Sequence, residues 1–177
     1  MHEFHFDEDT PGQTVLLPVS NWSHCERELS AAERHAEAHR DPVGAGWTKM
    51  YNPTPPPEPL RDLKITREGF AALLAPHGKQ FDRLVSPLSA IDEQLGISSI
   101  GFGPGGWAGI VADLDGELVT WIWCALPAET AEGNAMLAKM LGALGKEHHL
   151  MLVDWQGGEL VDLRSRTALE TYLSFEG

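Results

Sequence analysis

The chain has 177 residues, 42% of them hydrophobic, which suits one domain (1–177) able to bury a sizeable core. Its formal net charge of −13 comes from 26 acidic against 13 basic residues, with no basic cluster, and argues against nucleic acid or an anionic membrane surface as partner. No apolar run reaches transmembrane length and the start MHEFHFDEDT reads as neither signal nor transit peptide, so the cytoplasm is the expected compartment.

Residues 1–12 are acidic and histidine-bearing, end in Pro11-Gly12, and are expected to be loose. QTVLLPV, 13–19, reads as a strand with Pro18 at an edge or an end. Ser23 and Glu26 form a capping-box pattern, so a helix is expected from there to about Arg40, where Asp41-Pro42 stops it. Its apolar stripe, Cys25, Leu29, Ala32 and Ala36, is thin, which places it at the periphery. Five prolines between Pro53 and Pro59 make 52–59 an extended surface connector, anchored by Trp47 and Tyr51.

Leu63 to Ile65 reads as a brief strand. Thr66 then caps a short helix that turns Phe70, Leu73 and Leu74 inward and ends at Gly78. Residues 79–95 carry a second helical pattern, from Phe81, Leu84 and Val85 to Leu95, bent at Ser86-Pro87 and stopped by Gly96. Glu129 to Leu144 is helical, closed by Gly145, and LMLVDW and ELVDL are strands joined through Gly157-Gly158. A short helix from Ser165 to Leu173 completes an α+β pattern with a mostly antiparallel sheet. Its hairpins fall at 107–124 and 150–163 and pack against helices that include 129–144.

Gly101, Gly103 and Gly106 reproduce the G-x-G-x-x-G spacing of a dinucleotide loop. That loop works because a helix N-terminus follows it and aims free N–H groups at the phosphates. Here WAGIVADLDG follows, a strand pattern ending in a hairpin turn, and Pro104 removes a donor. No Gly-Lys-Ser/Thr follows either. The glycines are therefore expected to form a turn or bulge between ISSIGF and WAGIVAD.

Asp115-Gly116 between two apolar runs predicts a hairpin. With those two residues as the turn, Leu114 faces Glu117, Ala112 faces Val119, Ile110 faces Trp121 and Ala108 faces Trp123, all eight on one face. Trp107, Val111, Leu118, Ile122 and Cys124 lie on the other, with Asp113 and Thr120. Both faces are largely apolar. The 129–144 helix should cover one; the other is covered by the N-terminal half or serves as an interface.

His35 and His39 share a helix face but read H-A-E-A-H, so the intervening glutamate points away and the zinc-protease pattern H-E-x-x-H fails. The tract His2, His5, Asp7, Glu8, Asp9 lacks a rigid frame. Cys25 and Cys124 form no CxxC pair and read as reduced thiols. No G-x-S-x-G occurs, and the carboxylates at the hairpin tip should stay wet and ordinary. No cofactor and no catalytic residue is assigned.

The strand ending in Asp154-Trp155, the glycine turn, the strand with Asp162 and the helix with Leu-Glu-Thr-Tyr-Leu resemble the C-terminal part of small α+β immunity proteins of bacterial polymorphic-toxin and contact-dependent competition systems. The likeness covers about residues 97–175. It implies a non-catalytic cytoplasmic protein that binds and neutralises a cognate toxin, and the acidic balance suits a basic one. The residues expected to bind that partner are Asp113, Asp115, Glu117, Trp107 and Trp47. Two alternatives stand beside it: a small metal-dependent enzyme or metal-binding protein using His35 and His39, and an adaptor that binds through the proline-rich segment.

Overall fold

The computed structural model describes residues 1–41, 43–44, 48–86 and 98–174. The chain begins with β1 (Glu3–His5), a one-turn helix α1 (Thr10–Gln13) and β2 (Thr14–Pro18). Then come α2 (Trp22–Ala38), a 3₁₀ turn at Leu60–Leu63, α3 (Arg67–Leu74), β3 (Lys79–Gln80) and β4 (Arg83–Val85). The second half runs β5 (Ser99–Gly105), β6 (Ala108–Asp115), β7 (Leu118–Ala125), α4 (Ala131–His148), β8 (Leu150–Asp154), β9 (Glu159–Asp162) and α5 (Arg166–Leu173). Seven strands form one antiparallel sheet in the order β3-β5-β6-β7-β2-β8-β9, while β1 and β4 pair in parallel beside it. The α+β class with a mostly antiparallel sheet is what the sequence pattern implies.

Each face of the sheet carries its own core. On one, Leu137, Met140, Leu141 and Leu144 of α4, Phe70 and Leu74 of α3 and Leu169 and Leu173 of α5 pack on Leu16, Ile110, Ala112, Ile122 and Leu152. On the other, Val15, Leu17, Val111, Trp123, Met151 and Val153 meet Phe4, Phe81, Leu84 and Cys25. The second face is thus covered by the chain's own N-terminal half. β2 lies between β7 and β8 and is buried at every position, which a strand sandwiched between two cores requires. Pro18 stands at its end, where no ladder donor is needed.

The glycine stretch answers to an aromatic ring, not to a phosphate. No helix follows Gly106: β5 turns directly into β6, with Gly105 and Gly106 at positive φ and a bulge between Phe102 and Gly105. A Cβ at Gly101, Gly103 or Gly109 would lie 2.8, 2.9 and 2.5 Å from atoms of the Phe81 side chain. The bare backbone makes a flat seat for that ring, which stacks on Phe4 at 5.1 Å.

Several expected elements differ. The first residues are not loose, because Phe4 is fully buried and β1 pairs with β4. The 79–95 helix is replaced, as far as residue 86, by β3 and β4; Leu95, Gly96 and the Ser86-Pro87 bend involve residues outside those described. Leu63–Ile65 is no strand: Leu63 ends the 3₁₀ turn, Lys64 follows in a left-handed conformation, and Ile65 accepts a single backbone bond from Val119 N–H. Gly145 does not close α4, which continues to His148 and ends on left-handed His149, because Gly145 is needed where Leu163 crosses the helix.

The helix starts divide by whether the cap is free. Thr66 accepts the N–H of the third residue on, as expected, and Thr130 and Ser165 do the same, so α4 starts at Ala131 rather than Glu129. At α2 the helix begins at Trp22, so Ser23 lies inside its first turn and the expected Ser23–Glu26 capping box does not form; the cap position is Asn21, two residues before Ser23, with no side-chain cap bond. Its flanking Asn21 is engaged elsewhere: Nδ2 donates to the Glu58 carbonyl at 2.7 Å and Oδ1 accepts the Glu58 N–H at 3.0 Å.

The 107–124 hairpin forms with a different register. The turn residues are Gly116 and Glu117, with Asp115 opposite Leu118. Gly116 takes the positive φ that the first position of a tight II′-like turn requires. Asp113 lies opposite Trp121 but Leu114 opposite Val119, so Thr120 is an extra residue, a bulge. Each one-residue slip moves side chains to the opposite face. Trp121 and Trp123 therefore join the N-terminal core rather than the α4 side, and Ile122 and Cys124 take their place under α4.

Candidate functional site

The expected partner-binding residues do not form one surface. Asp115 is exposed at the β6–β7 turn and pairs with Arg61 at 2.5 Å, and Glu117 is exposed beside it. Trp107 is half exposed at the other end of β6, which at about 3.3 Å per residue puts it roughly 26 Å from that turn. Asp113 is not a wet rim acid: its Oδ1 accepts from Ser99 Oγ at 3.1 Å and from Trp123 Nε1 at 3.4 Å. Burial pushes its carboxyl above the ordinary carboxylate range, with those two hydrogen bonds pulling the other way. Trp47 lies outside the described residues.

What the fold does assemble is a cleft between α2 and the sheet. The proline segment runs back along α2, and side chains tie the two together along their length. Ser20 Oγ donates to the Glu58 carboxylate at 2.6 Å, and a His24 ring nitrogen meets the Thr54 carbonyl at 3.2 Å. Glu28 Oε2 accepts from Thr54 N–H at 2.7 Å and Tyr51 O–H at 2.9 Å. The Thr54 N–H above all holds the Glu28 carboxyl below its usual range.

Helix and proline arm thus form one ply over the second face, but an incomplete one. Cys25 is the only fully buried residue of α2. Beyond it the stripe offers only Leu29, Ala32 and Ala36, too small to fill the gap down to the sheet. The space left is a cleft of about 1020 Å³, walled by Leu29, Tyr51, Pro55, Trp121 and Trp155 over Val15 and Leu17. Its size is that of a ligand or side-chain-accepting pocket. The polar tips of two walls are already engaged, Trp121 Nε1 with the Pro11 carbonyl at 3.1 Å and Tyr51 Oη with Glu28.

Neither Trp121 nor Trp155 stood among the expected binding residues. One feature of the sequence points toward them: a long helix whose apolar stripe thins to alanine and so underfills the sheet face beneath it. What hid Trp121 was the bulge.

His35 and His39 stack at 4.0 Å between ring centroids, one ring nitrogen of His35 against the Lys49 carbonyl and one of His39 against the His35 carbonyl. Among the described residues no three His, Cys, Asp or Glu side chains gather as a metal site. No helix among them is long and apolar enough to cross a membrane.

Comparison with protein-family models, with curated proteins and with solved structures finds no match for this chain. The functional reading therefore rests on its own residues.

Proposed function

We propose that this chain is a non-catalytic, immunity-type protein that binds and neutralises a cognate bacterial toxin domain, with the cleft beneath α2 as its main contact. The observation that carries the reading is the wall of that cleft: Trp121, Trp155 and Tyr51 stand half-buried around an open space with Leu29 and prolines. Tryptophan and tyrosine in such pockets supply most of the affinity of protein interfaces. The net charge of −13 supports a basic partner, whose encounter it accelerates over distances set by salt. The cytoplasm is the compartment in which such a protein acts. The proline arm, as one wall of the cleft, takes part in the contact rather than forming a separate adaptor site.

The test is growth rescue. The C-terminal domain of the protein encoded next to this chain is expressed in a naive bacterium, with and without the chain. Rescue is expected for the parent and for Asp115→Lys/Glu117→Lys at high salt. Rescue is expected to fail for Trp121→Ala/Trp155→Ala, with its fold checked by circular dichroism. A non-toxic neighbour, or a toxic one that the chain leaves untouched, defeats the immunity reading; rescue undiminished in the tryptophan pair defeats the cleft.

A further inference from the structure

On the sheet face opposite the cleft, α4 and α5 leave an open groove between them of about 1010 Å³. α4 borders it from Ala131 to Lys146, a run of roughly 22 Å at 1.5 Å per residue. Leu163, Leu169 and Leu173 form its floor, and α4 turns short side chains to it, Ala135, Ala138 and Ala143 among them.

The charge of the groove runs against that of the chain. Among the described residues that line it are four of the 13 lysines and arginines, Lys139, Lys146, Arg164 and Arg166, and two of the 26 acids, Glu129 and Glu170. The arginines are compensated. Arg164 holds Asp162 through Nε at 3.0 Å and a terminal nitrogen at 2.9 Å, and Arg166 Nε donates to Glu170 at 2.6 Å. The lysines are not: both are exposed, and neither has an ion pair among the described residues. Ala135, Met136, Gly142, Ala143, His149 and Leu150 occupy the positions within helical reach of them, so no acid of α4 can neutralise either. Glu129 lies at the other end of the groove, before α4 begins. Two uncompensated positive charges, two turns apart on one helix face, therefore overlook an apolar floor.

That combination selects the occupant. A small acidic molecule would cover little of the groove's length. An extended peptide would lay its backbone N–H and C=O groups against helices whose own groups are already paired, and leave them unsatisfied. A helix satisfies its backbone internally, and the alanines let its axis come close to α4. A second copy related by a two-fold axis would set Lys139 and Lys146 against the same lysines, between two chains of charge −13 that repel. We propose that the groove between α4 and α5 docks an amphipathic, acidic helix of a partner protein, with its apolar stripe on the leucine floor and its carboxylates beside Lys139 and Lys146. This surface is separate from the cleft beneath α2, on the other face of the sheet.

A display library of peptides of about 18 residues, long enough as helices to span the groove, is the probe. It is first depleted on Ala135→Trp, which fills the groove from an exposed position without changing its charge, and then selected on the whole parent chain. The surviving peptides are expected to be rich in Asp and Glu, to carry apolar residues at helical spacing and to gain helicity on binding. By fluorescence anisotropy they are expected to bind about tenfold or more weakly to Lys139→Glu/Lys146→Glu, and as tightly as the parent does to Trp121→Ala/Trp155→Ala. Unchanged melting temperatures show that the groove variants fold. No survivors, survivors that are basic or neutral, or affinities indifferent to the lysine reversal overturn the proposal. So does a concentration-dependent dimer of the parent that the lysine reversal abolishes, which gives the groove to a second copy.

Discussion

The carboxylate of Asp113 sits 3.4 Å from the indole nitrogen of Trp123, on the sheet face that the N-terminal half covers. Its carboxyl is raised above the ordinary range, chiefly by burial. A raised folded-state pKa means that the folded protein holds the proton more tightly than the unfolded chain does. Stability is then greatest below the unfolded-state value, about pH 3.9, and is lost as pH rises through the folded value. Asp113→Asn keeps an acceptor for Trp123 and Ser99 and removes the charge. It is expected to melt higher than the parent at pH 7, by about 2–4 °C for a gain of at most ~1 kcal/mol after solvent screening. The difference should close near pH 3. Scanning calorimetry at both pH values checks it, and a lower melting point at pH 7 contradicts it.

Phe4 lies in a ring cluster, 5.1 Å from Phe81 and 5.7 Å from Trp123 between centroids. Phe4→Ala is expected to lower stability by about 3–5 kcal/mol, the range for emptying a buried phenylalanine site. A loose N-terminal segment would give a change within about 0.5 kcal/mol. Urea unfolding with an unaltered slope decides between the two.

Two glycines of α4 behave oppositely. A Cβ on Gly145 would lie 2.4 Å from Leu163 Cβ and 2.7 Å from its carbonyl carbon, so backbone must move. Gly145→Ala is expected to destabilise by about 1–3 kcal/mol. At Gly142 the nearest atom is Leu169 Cδ1 at 3.8 Å, an ordinary contact. Gly142→Ala should stabilise by about 0.5–1 kcal/mol through the unfolded chain and helix preference. Equal and like-signed changes in the two melting curves would refute the packing of α4 on Leu163.

Both thiols are free, buried and weakly acidic. Burial, with Glu28 nearby, pushes Cys25 up to about 11, and complete burial pushes Cys124 higher still. Neither is expected to react with an aromatic disulfide reagent at pH 8 in the folded protein. Both should react at once in denaturant. Fast modification of one thiol in the native state would show that its wall opens.

Local signals were legible in the sequence where the physics is local. Thr66 was legible as a helix cap because the cap bond reaches only three residues on. β2, β8, β9 and the α4 stripe follow from periodicity, and the glycine stretch was excluded as a phosphate loop by the strand that follows it. The hairpin was legible as an element but not in its register, because the Thr120 bulge depends on which face each core needs. The site was less legible still: Asp113, Asp115, Glu117 and Trp107 are neighbours in a sequence diagram and lie at different depths and opposite ends of one strand.

By itself the amino-acid order determined the class, the two-faced apolar sheet and the thin stripe of α2, since each follows from side-chain size and spacing along a single element. Tertiary structure alone decided that Phe4 and Phe81 close the second face, that Asn21 serves Glu58 instead of a helix, and that Trp121 and Trp155 border an open cleft. Those outcomes hang on contacts between segments tens of residues apart, where the winner is whichever distant surface buries more apolar area and leaves fewer polar groups unpaired.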